Sequence, residues 1–243
     1  MTHETSATPF DATALGTVLT VWAHPDDEAY LAGGLLAALR DAGNRAVCVT
    51  ATRGEAADPR AGAAERIALA AVRTRELDAA LSVLGVGEHH WLDLPDGGLA
   101  GLDPAGPTDQ LSSLVDDVRP DTVVTFGPDG FTGHTDHQAV SHWTDLALAR
   151  STYGGDVRLW HAVTQEHLVD RDLIDRFEIY ALGEPRFCTD EELALRLPLE
   201  GAALERKVDA LLRQESQTGD LVSAIGRDRF AAWIATECFA PPR

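Results

Sequence analysis

Val18-Leu19-Thr20-Val21-Trp22-Ala23-His24-Pro25-Asp26-Asp27-Glu28 is an apolar run that passes without a break into a short polar turn stiffened by proline. The residues that follow, Glu28 to Ala42, have helical periodicity. A strand that feeds a helix through a polar turn is the building unit of an α/β sheet, and the same alternation recurs outward from it. Further strands are expected at Ala46 to Ala51, His90 to Leu94, Asp121 to Phe126 and Val157 to Val163. Helices are expected between them at Ala63 to Leu84, Thr108 to Val118 and His137 to Ala149. The first two helices run into Gly43 and Gly85, where left-handed C-caps belong. The Gly-, Pro- and Asp-rich stretch Asp93 to Pro107 reads as a loop. These features predict a Rossmann-like α/β fold, doubly wound around a mainly parallel sheet of order 3-2-1-4-5.

Beyond Val163 the pattern is less regular, with a strand candidate at Phe177 to Leu182 and helices near Ala202 to Glu215 and Arg227 to Thr236. No repeat or long linker divides the chain. A single domain over residues 1–243 is expected, its core at about 16–165 and a mixed C-terminal extension at about 166–243 packed against it.

Composition excludes several function classes. Of 243 residues, 44% are hydrophobic, and 39 acidic against 20 basic side chains leave a net charge of −19. That charge repels nucleic acid and anionic membranes. The N-terminal stretch lacks the basic start and apolar run of a signal peptide, and no later segment is apolar enough to span a bilayer. A cytoplasmic protein is the expectation. Cys48, Cys188 and Cys238 are odd in number and widely spaced, which predicts buried free thiols rather than disulfides. A small molecule is the expected partner, and a homo-oligomer stays open.

Ligands of an open α/β sheet bind beyond the carboxyl ends of its strands, where strand order reverses. With order 3-2-1-4-5, strands one and four meet there, so the loop His24-Pro25-Asp26-Asp27 faces Gly127-Pro128-Asp129-Gly130-Phe131-Thr132-Gly133-His134-Thr135-Asp136-His137. His24 and Asp27 lie three apart at the entrance of one helix, His134 and His137 three apart at the start of another. Two imidazoles and one carboxylate leave a coordination position for water, as in a catalytic zinc site. Of the adjacent acids Asp26 and Asp27, one can ligate while the other serves as general base, and the helix N-terminus favours the charged form of both. Spacing leaves open which of His134 and His137 binds the metal.

His24-Pro25-Asp26-Asp27-Glu28 after an apolar strand, with His134-Thr135-Asp136-His137 about 110 residues later, resembles the LmbE-like (PIG-L-type) N-acetylglucosaminyl deacetylase family. The resemblance extends to Thr52-Arg53-Gly54-Glu55, to Arg73 with Glu76-Leu77, and to Lys207 and Ser216-Gln217, so it spans roughly residues 18–217. It implies metal ligands His24, Asp27 and His137, a general base at Asp26 and an assisting His134 outside the metal shell. By the same resemblance Glu55 and Arg73 line a sugar pocket, while Asp136 is read as orienting a histidine. Thr132 stands where some members carry a tyrosine, and Thr135 replaces the usual proline.

The implied chemistry is zinc-dependent hydrolysis of an N-acetyl or other N-acyl amide on an amino sugar, with iron(II) or another divalent metal as an alternative to zinc. Three rivals are an amidase releasing a larger acyl group from a glucosamine conjugate, a non-catalytic sugar-binding protein, and a glycosidase pairing Asp26 with Glu55. His89 and His90 read as edge structure, and His142 and Trp143 as packing. His161 ends the fifth strand within possible reach of the pocket. Tyr30, Asp93, Asp96 and Asp129 are candidates for sugar contact, although loop acids are more often turn formers. The loops Asp93 to Pro107 and Val163 to Asp175 are expected to shape the pocket, but they carry no readable code for the substrate.

Overall fold

The computed structural model describes residues 10–243. The absence of a leader, read from the first residues, therefore rests largely on residues 1–9, outside the described part. The strands are β1 (Val18–Trp22), β2 (Ala46–Thr50), β3 (Glu88–Trp91), β4 (Thr122–Phe126), β5 (Arg158–Val163), β6 (Leu195–Pro198) and β7 (Thr236–Ala240). They form one sheet of order β3-β2-β1-β4-β5-β7-β6. The first five are parallel, and β7 joins antiparallel to both β5 and β6. Every residue of β1 and β4 is buried, which explains why these central strands read as continuous apolar runs.

Helices α1 (Asp27–Ala42) and α2 (Ala63–Leu84) carry the chain from β1 toward the β3 edge. Helices α3 (Ala105–Val118) and α5 (Thr135–Arg150), the latter preceded by the single turn α4 (Gly130–Gly133), carry it the other way. Because parallel crossovers are right-handed, this reversal puts the two sets on opposite faces. The contacts agree: α1 and α2 pack with α7 (Gly201–Leu212), whereas α3 packs with α5. Gly43 and Gly85 cap α1 and α2 in the left-handed conformation, at φ 80° and 78°.

The C-terminal third departs from expectation. Phe177 to Leu182 is not a strand; it forms turns after the short helix α6 (Arg171–Arg176). The added strands are β6 and β7, too short and too close to helices to stand out by periodicity. The stretch read as helix to Glu215 ends at Leu212, and α8 (Glu215–Ile225) and α9 (Arg227–Trp233) follow it. Glu76 on α2 starts α8, accepting from the Ser216 N–H at 2.8 Å and from its hydroxyl at 2.5 Å.

This extension is tied to the first βα unit by a buried ion pair. Lys207 Nζ on α7 lies 2.8 Å from Glu237 Oε1 on β7, with both side chains 1% exposed. Glu237 also accepts the backbone N–H groups of Gly34 and Leu35 on α1, at 2.6 and 2.9 Å. Breaking a buried pair from one side leaves an uncompensated charge. Lys207→Met is therefore expected to lower the unfolding free energy by about 3–5 kcal/mol in urea denaturation. A loss below about 1 kcal/mol would mean that Glu237 does not need its cation.

Candidate metal centre

The two switch-point loops each present one committed imidazole. In the first, the His24 backbone N–H donates to Asp27 Oδ2 at 2.8 Å, which closes the turn on itself. In the second, His134 is the N-cap of α5, its Nδ1 accepting the Asp136 N–H at 3.1 Å. His137, one turn later, is buried and stacked on Phe126 with ring centroids 4.1 Å apart. Its Nδ1–H donates to the Gly130 carbonyl at 2.9 Å, so its Nε2 offers a lone pair.

Parallel pairing of β1 with β4 brings the loops together. His24 Nδ1 stands 3.2 Å from His137 Nε2 and 3.7 Å from Asp27 Oδ2, and His137 Nε2 stands 3.5 Å from Asp27 Oδ1. Donors 2.0–2.2 Å from a tetrahedral zinc are about 3.3–3.6 Å from each other, close to the separation of the two imidazole nitrogens; Asp27 approaches them through different oxygens, and the side chains whose donor atoms all lie within 4.8 Å of one another are His24, His134 and His137. The outer nitrogen of His24, Nε2, faces Asp96 Oδ1 at 3.1 Å and Asp136 Oδ2 at 3.4 Å. With both outer nitrogens donating, the inner nitrogens confront each other as lone pairs, an arrangement that only a shared cation or proton relieves. The pKa shifts put that proton on His24. Burial alone would depress His24, yet Asp136, Asp96 and Asp27 together raise it to about 10. Burial holds His137 down to about 4, in the neutral form a metal ligand needs.

The carboxylates behind His24 were only half legible. Asp136 is fully buried and ties the 96–99 loop to the site by accepting the Gly97 and Leu99 N–H groups at 2.8 and 2.9 Å. Asp96, read as a turn former or sugar contact, instead bridges His24 and the Ala56 N–H, which it accepts at 2.6 Å. Its position after an apolar strand was the available signal.

Asp26 occupies a backbone conformation that L-residues avoid, at φ 98°. It is held there by Arg73 and Glu28. Arg73 donates to the Pro25 carbonyl and lies 3.3 Å from Asp26 Oδ2, and Glu28 accepts the Asp26 N–H at 3.0 Å while accepting from Gln214 at 2.7 Å. Burial pushes the Asp26 carboxyl up to about 7, with Arg73 opposing and Asp27 adding to the shift. Burial thus opposes the helix N-terminus, which favours the charged form.

Arg73 and Glu55, expected to line a sugar pocket, are not among the residues that line the central cavity. Arg73 is 4% exposed, and it also donates to the Gly54 carbonyl at 2.9 Å. A Cβ on Gly54 would meet this guanidinium at 2.1 Å, and the φ of +66° there also calls for glycine. Glu55 accepts the Asp96 N–H at 3.1 Å and so steadies the loop behind His24. The cavity at the centre, about 320 Å³, is lined instead by Asp26, Asp27 and His137, by Phe131 and Thr132 of the second loop, and by the C-terminal extension. His161 is buried on β5 but does not line it. His89 lies at the sheet edge against Trp91; Trp143 is buried as expected, whereas His142 is exposed. All three cysteines are free and buried, and no helix among the described residues is long and apolar enough to cross a membrane.

Comparison with known proteins places this geometry in context. The family model described as PIG-L, GlcNAc-PI de-N-acetylase, matches residues 19–148. A 1D-myo-inositol 2-acetamido-2-deoxy-alpha-D-glucopyranoside deacetylase of Saccharomonospora viridis is 30% identical over 92% of this chain and 88% of its own length. A deacetylase of the same name from Kineococcus radiotolerans is 35% identical over 57% of this chain, but over only 46% of its own length. Among solved structures, the N,N'-diacetylchitobiose deacetylase of Pyrococcus horikoshii superposes with a TM-score of 0.66 at 20% identity, covering 95% of this chain and 86% of that one. At that identity the likeness speaks for the fold alone.

The centre generates a metal prediction. Purified protein incubated with zinc is expected to retain one equivalent after desalting, and His137→Ala to retain none. Asp136→Asn is expected to weaken affinity by about 10- to 100-fold through His24. Metal retention by His137→Ala, measured by elemental analysis, would remove His137 from the ligand set.

Proposed function

The chain belongs to the PIG-L family, and from that membership we propose that it is a divalent-metal-dependent hydrolase that removes an N-acyl group from an amino sugar or amino-sugar conjugate. The carrying observation is the pair of inner imidazole nitrogens, 3.2 Å apart, whose outer nitrogens are both committed to acceptors. His24, Asp27 and His137 would hold the metal, zinc by preference of the N,N,O donor set, with iron(II) as the alternative. When bound, it supplies Lewis acidity to the amide carbonyl and acidifies water.

The remaining steps belong to the chain. Asp26 takes the proton of the attacking water, and a carboxyl poised near 7 suits that task at neutral pH. Arg73 and Glu28 keep Asp26 in its strained conformation, so the base does not relax into a helix cap. His134, whose Nδ1 accepts from the backbone, keeps Nε2–H free to stabilise charge developing on the carbonyl oxygen. The C–N bond breaks, the water hydroxyl stays on the acyl carbon, and the proton held by Asp26 or His134 goes to the departing amine. The products are a free carboxylic acid and a primary amine.

The relatives' names nominate the first substrate, an N-acetylglucosaminyl inositol, beside N-acetylglucosamine itself. Acetate release is expected to vanish on chelation and to return with zinc. Asp26→Asn is expected to keep its metal yet lose at least about 100-fold in kcat. Activity insensitive to chelator would instead favour paired-carboxylate glycosidase chemistry, and equal metal loss in Asp26→Asn and His137→Ala would refute the division of roles.

A further inference from the structure

The cavity beside the candidate metal centre holds many hydroxyls and no cation. Tyr30, Thr132, Thr164, Tyr180 and Thr236 line it, and none of their hydroxyls is spent on another group of the described residues. Each can both donate and accept, which matches the hydroxyls of a polyol. The half-exposed rings of Tyr30 and Trp233, with centroids 5.7 Å apart, add apolar faces against which the C–H side of a sugar ring can lie. No lining residue among those described is Lys or Arg, and residues 1–9 contain neither. The acids on the lining are Asp26, Asp27 and Glu237, and Glu237 already holds the buried Lys207 at 2.8 Å. The centre itself has no positive surplus to lend, because Asp26, Asp27, Asp96 and Asp136 outnumber the charges that a divalent ion and Arg73 bring.

Resting on the hydrolase reading above, we propose that the site selects its substrate by charge: it takes electrically neutral amino-sugar glycosides and turns away phosphorylated or carboxylated ones. An anion drawn into this cavity gives up its hydration and meets no counter-charge, only further carboxylates. A neutral polyol gives up its hydration too, but the five hydroxyls replace it. The same holds for either substituent of the amide, because both meet the same lining. The net charge of −19 adds a weaker, long-range repulsion of the same sign, which salt screens.

The test compares kcat/KM for zinc-loaded enzyme on N-acetylglucosamine, its 1-phosphate and its 6-phosphate, following release of the primary amine. Both phosphates are expected to fall at least about 100-fold below the neutral sugar. The 6-O-methylsulfonyl ester, neutral and close to the 6-phosphate in size, is expected to stay within about tenfold of the parent; a loss as large as the phosphate's would assign the discrimination to bulk and overturn the proposal. Leu221→Lys, which sets a cation on the lining from a half-exposed helix position, is expected to raise the phosphate-to-neutral ratio at least about tenfold, and no rise would count against the lining as the source. Calorimetry on metal-stripped protein supplies a readout apart from turnover: the 6-phosphate should bind at least about tenfold more weakly than N-acetylglucosamine. Discrimination that collapses in about 0.5 M salt overturns the proposal by moving its cause to the surface charge. Equal rates on neutral and phosphorylated sugars overturn it and leave the hydrolase reading standing. If none of the sugars is hydrolysed, the hydrolase reading falls and the proposal falls with it.

Discussion

The parallel pairing of β1 with β4, Val18 to Thr20 in register with Thr122 to Val124, is the constraint on which the rest depends. Neither loop contains a complete centre. The first brings one imidazole and one carboxylate, the second an imidazole, and they lie 113 residues apart in the chain. Only the reversal of strand order between β1 and β4 sets the loops face to face, and the burial of both strands prevents a slip in register that would separate them.

Convergence creates an electrostatic problem whose solution is the site. Asp27, Asp96 and Asp136 lie against His24 with Asp26 beside them, and the buried guanidinium of Arg73 pairs with Asp26. Such a cluster favours any cation at its centre. It also explains why the elements around it are so heavily cross-tied. The 96–99 loop is held by Asp136 and Glu55, the strained Asp26 by Arg73 and Glu28, and α1 by Glu237 from the C-terminal strand. The extension thus does two things: it braces the first βα unit and it supplies the apolar wall of the cavity.

Much of this was legible beforehand. Periodicity identified the five parallel strands and four main helices, because buried strands and half-buried helices differ in length and pattern. Motif spacing placed the two loops, and topology placed them together. Three things were not legible. The turns at 177–182 carry strand-like composition, and only tertiary packing against the 130–133 loop decides their shape. Asp96 gave no periodic signal, since its role depends on a loop conformation fixed from outside by Asp136 and Glu55. Arg73 entered only through the resemblance, as a pocket-lining residue, and its burial follows from the glycine at position 54 that lets the guanidinium approach.

The central claim is that imidazoles from both loops and the carboxylate of Asp27 share one metal ion. X-ray absorption spectroscopy of the zinc-loaded protein tests it most directly. The account predicts a nitrogen and oxygen shell at about 2.0–2.2 Å whose outer-shell scattering fits two imidazoles, reduced to one in His137→Ala protein forced to bind at high zinc. A shell containing sulfur, or one whose imidazole count is unchanged by loss of His137, would contradict it.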